Sequence, residues 1–298
     1  MRQMMMARAV TWRSALAVLA LTVVGLAACG PASAAPLEPV GEWQVEQADE
    51  SCRLWRNFGT GDQATAFNIY TYGPDASYRI VLTGKAVMRD RGQAVESRVR
   101  FGSEVDYRPL AAVASRSGSD GMLSLLMVGN GSTYHFVRGW SPLGGWDWDR
   151  ALIPTVEDFT SITVETGRMP AITLRLGDMS TPMAQLAECQ GRLAESWGVA
   201  TPAVQPVLTE ARPLLERLAM PEGMVLNHVS LIAQIKVRVD PQGRATECEV
   251  QSPSLESRQT RGLCRPLLDF ARFEPARDAA GNPVEAIFRI VYSYHIFD

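Results

Sequence analysis

The sequence holds little of what builds a reactive centre. Its three histidines, His135, His228 and His295, lie far apart, and its five cysteines include no C-x-x-C pair, so no metal ligand set is expected. No G-x-S-x-G segment offers a nucleophilic serine, and no glycine-rich loop is spaced to cradle phosphates. No cofactor is expected. A dominant charge is missing as well: 29 basic against 32 acidic residues leave a formal net charge of −3, without the basic footprint of a nucleic-acid binder. No internal repeat of solenoid length is visible.

What is there begins at the N-terminus. Arg2, Arg8 and Arg13 precede the apolar run Ser14–Ala28, which falls short of the ~20 residues that span a bilayer. Small residues follow, as in a secretory signal, so residues 1–34 are expected to direct export. Two processing points compete. Leu26-Ala27-Ala28-Cys29 matches a bacterial lipobox, with Cys29 lipidated as the first mature residue, and Ala32-Ser33-Ala34 offers a cut before Ala35. An uncleaved signal anchor is the third reading.

Beyond Cys29 remain Cys52, Cys189, Cys248 and Cys264, which allow three pairings in an oxidising compartment. Sequence distance favours Cys52 with Cys189 and Cys248 with Cys264, one bridge in each half of the chain. With 298 residues, 46% hydrophobic and 20% charged, the chain has the composition of a globular protein of about two domains.

The first block, 35–200, reads as β-rich. The runs 66–72, 78–82, 97–101, 122–128 and 171–176 have strand character and are separated by turn signals such as Gly73-Pro74-Asp75 and Gly129-Asn130-Gly131. A helix is expected to close it, starting at Thr181-Pro182, with Met183, Leu186, Ala187, Gln190, Leu193, Ala194 and Trp197 at helical spacing and Gly198 as the stop. Residues 201–224 read as a proline-bearing linker with a short helix. In the last block, 225–298, Ile235, Val237 and Val239 alternate with Gln234, Lys236 and Arg238, and Pro241-Gln242-Gly243-Arg244 turns into a second strand. A helix near 259–271, containing Pro266, and a long strand from about 284 complete the order ββαβ. The expected class is therefore α+β: a β-rich domain with a closing helix, then a small ββαβ domain.

Three features of 231–298, in order, carry a resemblance: the D-x-x-G-R hairpin at Asp240 and Gly243, the F-x-P-A-x-D-x-x-G-x-P-V run through Phe273, Pro275, Ala276, Asp278, Gly281 and Pro283, and a cysteine in the second strand matched by one in the helix. This block resembles the C-terminal domain of the TonB energy-transducer family. The physical reading of the run is that Phe273 anchors the helix end in the core, Pro275 stops the helix, and Asp278–Pro283 turns into the last strand. The chain departs from the family elsewhere: its apolar segment carries no histidine, and a β-rich block replaces the proline-rich spacer.

The resemblance implies an interaction module. The terminal strand, with Phe288, Ile290, Tyr292, Tyr294 and Ile296 on one face, is expected to leave an edge to which an extended peptide adds as a further strand. The implied partner is an envelope protein such as an outer-membrane receptor, with a homodimer mate as the competing cover of that edge. The expected location is the periplasm, or a membrane reached through lipid on Cys29. A transducer with a retained anchor is the alternative. A minor one is an enzyme or sugar-binding β domain using Trp146-Asp147-Trp148-Asp149 and His135, although a solvated aspartate turn with packed tryptophans explains that run as well.

Overall fold

The fold is known from a computed structural model, which describes residues 35–73, 78–87, 93–117, 120–127, 133–138, 159–166, 169–199, 202–210, 213–214, 217–218, 231–253, 255 and 257–294. Ala34–Asp298 makes one compact unit. Among the described residues of the first block are ten strands: β1 (Pro39–Gln47), β2 (Cys52–Phe58), β3 (Thr65–Thr71), β4 (Tyr78–Gly84), β5 (Gln93–Phe101), β6 (Arg108–Ser117), β7 (Asp120–Met127), β8 (Thr133–Arg138), β9 (Ser161–Thr166) and β10 (Met169–Arg175). Helix α1 (Ser180–Ser196) follows, then β11 (Val207–Leu208), β12 (Leu231–Val239) and β13 (Ala245–Ser252). Helix α2 (Ser257–Phe270) leads to β14 (Phe273–Glu274), β15 (Ala276–Arg277), β16 (Pro283–Val284) and β17 (Ala286–Tyr294).

Nine of these strands form one antiparallel sheet in the order β1-β2-β3-β4-β7-β6-β5-β9-β10. An odd number of antiparallel strands leaves the first and last pointing the same way, so the sheet can close only through a parallel contact. Leu37, just ahead of β1, supplies it: its N–H donates to the Thr173 carbonyl at 2.8 Å and its carbonyl accepts from Arg175 N–H at 3.1 Å. This bridge brings the two ends of the sheet together, closing it into a barrel at the level of Leu37 and Leu174.

Alternation fills that barrel. In β3, Thr65, Phe67, Ile69 and Thr71 point inward, and Leu54, Ile80, Leu82, Phe101, Leu123, Leu125, Ile162 and Leu174 join them in one core. Trp43, Phe58, Phe67, Phe159 and Phe101 meet edge to face with centroids 5.4–6.4 Å apart, the arrangement ring quadrupoles favour. Helix α1 lays Leu186, Cys189 and Leu193 on this core, and Cys189 is bridged to Cys52 at the start of β2. It begins at Ser180, whose N–H bonds to the Asp178 carboxylate at 2.9 Å, and Gly198 follows its end with φ +67°. Gln190, counted with the apolar face from its spacing, is a buried polar anchor instead: Nε2 donates to Thr71 Oγ1 at 2.6 Å and to the Gly73 carbonyl at 2.8 Å.

The second sheet has the order β13-β12-β17-β8. One face of its strands, with Ile235, Val237, Val239, Phe288, Ile290 and Tyr292, packs on Leu263 and Leu267 of α2. Cys248 of β13 is bridged to Cys264 of α2. Pro266 lies inside α2, whose ladder it interrupts by lacking an N–H.

The expected α+β class is corrected. The chain is mostly β, with several antiparallel sheets and two helices longer than a single turn among the described residues. The physical reason lies in β8: the C-terminal strands do not close a ββαβ unit by themselves but continue into a strand drawn from between β7 and β9.

Candidate functional site

The hairpin and the F-x-P-A run, separated in sequence, meet in space. Phe273 N–H donates to the Gly243 carbonyl at 2.9 Å, and Arg244 and Arg272 form an isolated bridge beside it. Gly243 has φ +75°, and a Cβ there would drive into the Phe273 carbonyl, so only glycine permits the approach. Asp240 ties the turn: its carboxylate accepts N–H groups of Gln242 and Arg244, both at 2.9 Å, and the Arg244 guanidinium at 2.7–2.8 Å. Desolvation acts to raise the Asp240 carboxyl, but the hydrogen bonds from Arg244 and Gln242 outweigh it and hold the group below the ordinary carboxylate range.

Phe273 is buried and meets Phe288 of β17 edge to face, centroids 4.8 Å apart. Helix α2 already ends at Phe270, ahead of Pro275, because Phe273–Glu274 is drawn into pairing with Val207–Leu208; Pro275 is therefore not the helix stop. Ala276 is fully buried and pairs with Val284, while Arg277 pairs with Pro283. Between them Asp278 organises the turn, accepting from Ala280 N–H and Asn282 N–H at 2.9 Å and from Asn282 Nδ2 at 3.1 Å. The side-chain and backbone bonds of Asn282 hold its carboxyl below the usual range. Gly281, at φ +84°, completes the turn. All these motif residues position the start of β17.

Strand β17 is the candidate site. Phe288, Ile290 and Tyr292 point into the core at 0–2% exposure, so their side chains are not a contact surface; what the strand can offer a partner is its backbone edge. One edge pairs antiparallel with β12 along its whole length, Leu231 opposite Tyr294 through Val239 opposite Ala286. The other edge, expected to be open, carries β8 in parallel, from Thr133 opposite Arg289 to Arg138 opposite Tyr294. Ile296 and the Tyr294 side chain lie outside the described residues, as do Cys29 and the Trp146–Asp149 run.

The opposite face of this sheet is polar and packs on the barrel. Lys236 Nζ lies 2.6 Å from Glu50, in the turn between β1 and β2, 2.9 Å from Glu249, and 5.0 Å from the Trp197 ring centroid. Gln251 Nε2 donates to Glu50 and to the Tyr72 carbonyl, Arg79 bonds Ser252 at 2.9 Å, and Arg238 reaches the Trp197 carbonyl at 3.1 Å. Ile232 and Val291 add a small apolar contact with Val113. A cleft of about 290 Å³ opens here, lined by Lys236, Arg238, Glu247, Cys248, Glu249 and Ile287. Its two cations are already paired with carboxylates, Arg238 with Glu247 and Glu285, so the cleft presents balanced rather than attracting charge. Among the described residues, no group of three or more His, Cys, Asp or Glu is placed to hold a metal ion, and no helix is long and apolar enough to cross a membrane.

Sequence reasoning missed β8 and the Glu50–Lys236 contact. The aromatic and β-branched run Thr133–Val137, directly after the Gly129-Asn130-Gly131 turn signal, marks a strand, but nothing local names a partner more than 150 positions away. Glu50 carries no signal at all, since an acidic residue in a hairpin turn ordinarily faces water. No family model, no curated protein and no solved structure matches the chain.

Proposed function

We propose that the chain is an exported cell-envelope protein whose C-terminal sheet is a strand-accepting interaction module, with extended segments of outer-membrane receptors as its partner class. One observation carries the reading. The outer edge of β17 bears a six-residue parallel ladder with a strand from a remote part of the chain, so its N–H and C=O groups are positioned to accept an added strand. The motifs of 240–283, whose hydrogen bonds set the start of β17, are those that resemble the TonB C-terminal domain, and that resemblance supplies the receptor class. The two disulfides suit an oxidising compartment such as the periplasm. Attachment through lipid on Cys29 belongs to the same reading; intact mass of the membrane-extracted protein tests it against a chain starting at Ala35.

The direct test is fluorescence anisotropy with labelled peptides of about ten residues from the periplasmic plug segments of outer-membrane receptors. Saturable binding that is lost when alternate peptide nitrogens are methylated is the expected outcome, because methylation removes main-chain donors and leaves side chains in place. Absence of binding, or binding indifferent to methylation, contradicts it.

A further inference from the structure

We infer that β8 is an internal competitor for the acceptor edge: residues 133–138 hold the place of an incoming peptide and must leave before a partner strand can enter parallel to β17. The inference rests on the strand-acceptor reading. Three observations carry it. First, among the described residues β8 has a single ladder, to β17, and lies last in the order β13-β12-β17-β8, whereas β7 and β9, its described neighbours in sequence, belong to the barrel. Its removal therefore breaks no pairing within the barrel. Secondly, Phe288, Ile290 and Tyr292 pack in one core with Leu263 and Leu267 of α2 and with Ile235 and Val237 of β12, so the face of β17 has partners besides β8. Thirdly, β17 is held on its inner edge by nine consecutive residue pairs with β12, against six with β8, so the acceptor strand stays in place when the weaker ladder opens.

The occupant also fixes the geometry of what replaces it. An entering segment runs parallel to β17 and spans Arg289–Tyr294, so it needs about six extended residues without proline at the positions that donate to the ladder. Because a site open for only a fraction of the time binds with its affinity reduced by that fraction, removing β8 raises apparent peptide affinity by at least tenfold if the edge is open ~10% of the time or less.

The test uses the full mature chain and two probes, a labelled peptide of sequence TYHFVR with neutral flanks and a receptor plug peptide. Replacing 133–138 by GSGSGS is expected to tighten TYHFVR binding at least tenfold while the near-ultraviolet circular dichroism of the barrel aromatics is retained. Unchanged affinity overturns the inference. Tight TYHFVR binding together with no receptor-peptide binding leaves β8 as the edge occupant and removes the receptor reading, so the two claims fail separately. Should the replaced chain not fold, hydrogen exchange on the unmodified chain decides. Saturating TYHFVR is expected to strip protection from the chain's own 133–138 amides while the protection pattern of 286–294 is unchanged, and no change in 133–138 overturns the inference.

Discussion

Asp240 shows how one side chain can hold two distant motifs in register. Its carboxylate gathers the Gln242 and Arg244 N–H groups and the Arg244 guanidinium, and that turn presents the Gly243 carbonyl to Phe273. Asp240→Asn keeps the shape but halves the acceptor capacity, so unfolding free energy is expected to fall by about 1–3 kcal/mol at pH 7. The pH dependence has a definite sign. Because the folded-state pKa is depressed, the stabilisation is complete above the unfolded carboxyl value of about 4 and is lost as pH falls through the folded value. Denaturant titrations should give a constant gap between the two proteins from pH 7 to 5 that narrows below about 4; a gap unchanged at pH 3 would contradict this origin. Phe273→Ala removes a buried ring from contact with Phe288 and is expected to cost about 3–5 kcal/mol in the same measurement.

Elements were legible where the pattern was local. The alternation of Ile235, Val237 and Val239 and the spacing of Leu186 and Leu193 in α1 state which face is buried, and the structure has those residues in the two cores, whereas Ala187, counted with the same face of α1, is exposed. In the first block, β1, β2, β6, β8 and β9 have no counterpart among the runs expected from the sequence. The segment 108–117 is rich in alanine and carries Pro109, both poor in strand propensity, and β2 has Trp55 on the register of polar Arg53 and Asn57 and Arg56 on that of Leu54 and Phe58, which blurs its alternation. The barrel supplies by pairing what these segments lack by propensity. The two disulfides allow a comparison between elements: closing 137 positions against 16 is worth about 5 and about 3 kcal/mol in the chain-entropy estimate. Cys52→Ala/Cys189→Ala should therefore lower the melting temperature more than Cys248→Ala/Cys264→Ala; the reverse order, by calorimetry, would show that the short bridge to α2 does more than shorten a loop.

At the scale of the whole molecule, the barrel and the second sheet meet through polar contacts that sequence could not announce. Glu50 and Lys236 lie 186 positions apart, with side chains 26% and 15% exposed, and Gln251 shares the same carboxylate. Partial burial makes loss of one partner costlier than for a surface pair, because the remaining charge stays poorly solvated. Gly73 belongs to the same joint: a Cβ there would stand 2.5 Å from Arg289 Nη1 and 2.7 Å from the Trp197 ring. Gly73→Ala is expected to loosen this joint and lower the melting temperature by several degrees; an unchanged melting temperature would mean that Arg289 and Trp197 yield freely.

The central claim is that the chain itself covers the outer edge of its last strand, and residue-resolved amide exchange tests it most directly. A strand paired on one edge leaves alternate N–H groups free, while a strand paired on both leaves none. The expected result in the unliganded chain is unbroken protection of successive amides from Arg289 to Tyr294, where both β12 and β8 pair, and alternating protection from Ala286 to Phe288, where β12 pairs alone. Alternation running through to Tyr294 would mean an open edge and would contradict both the self-covered strand and the competitor assigned to it.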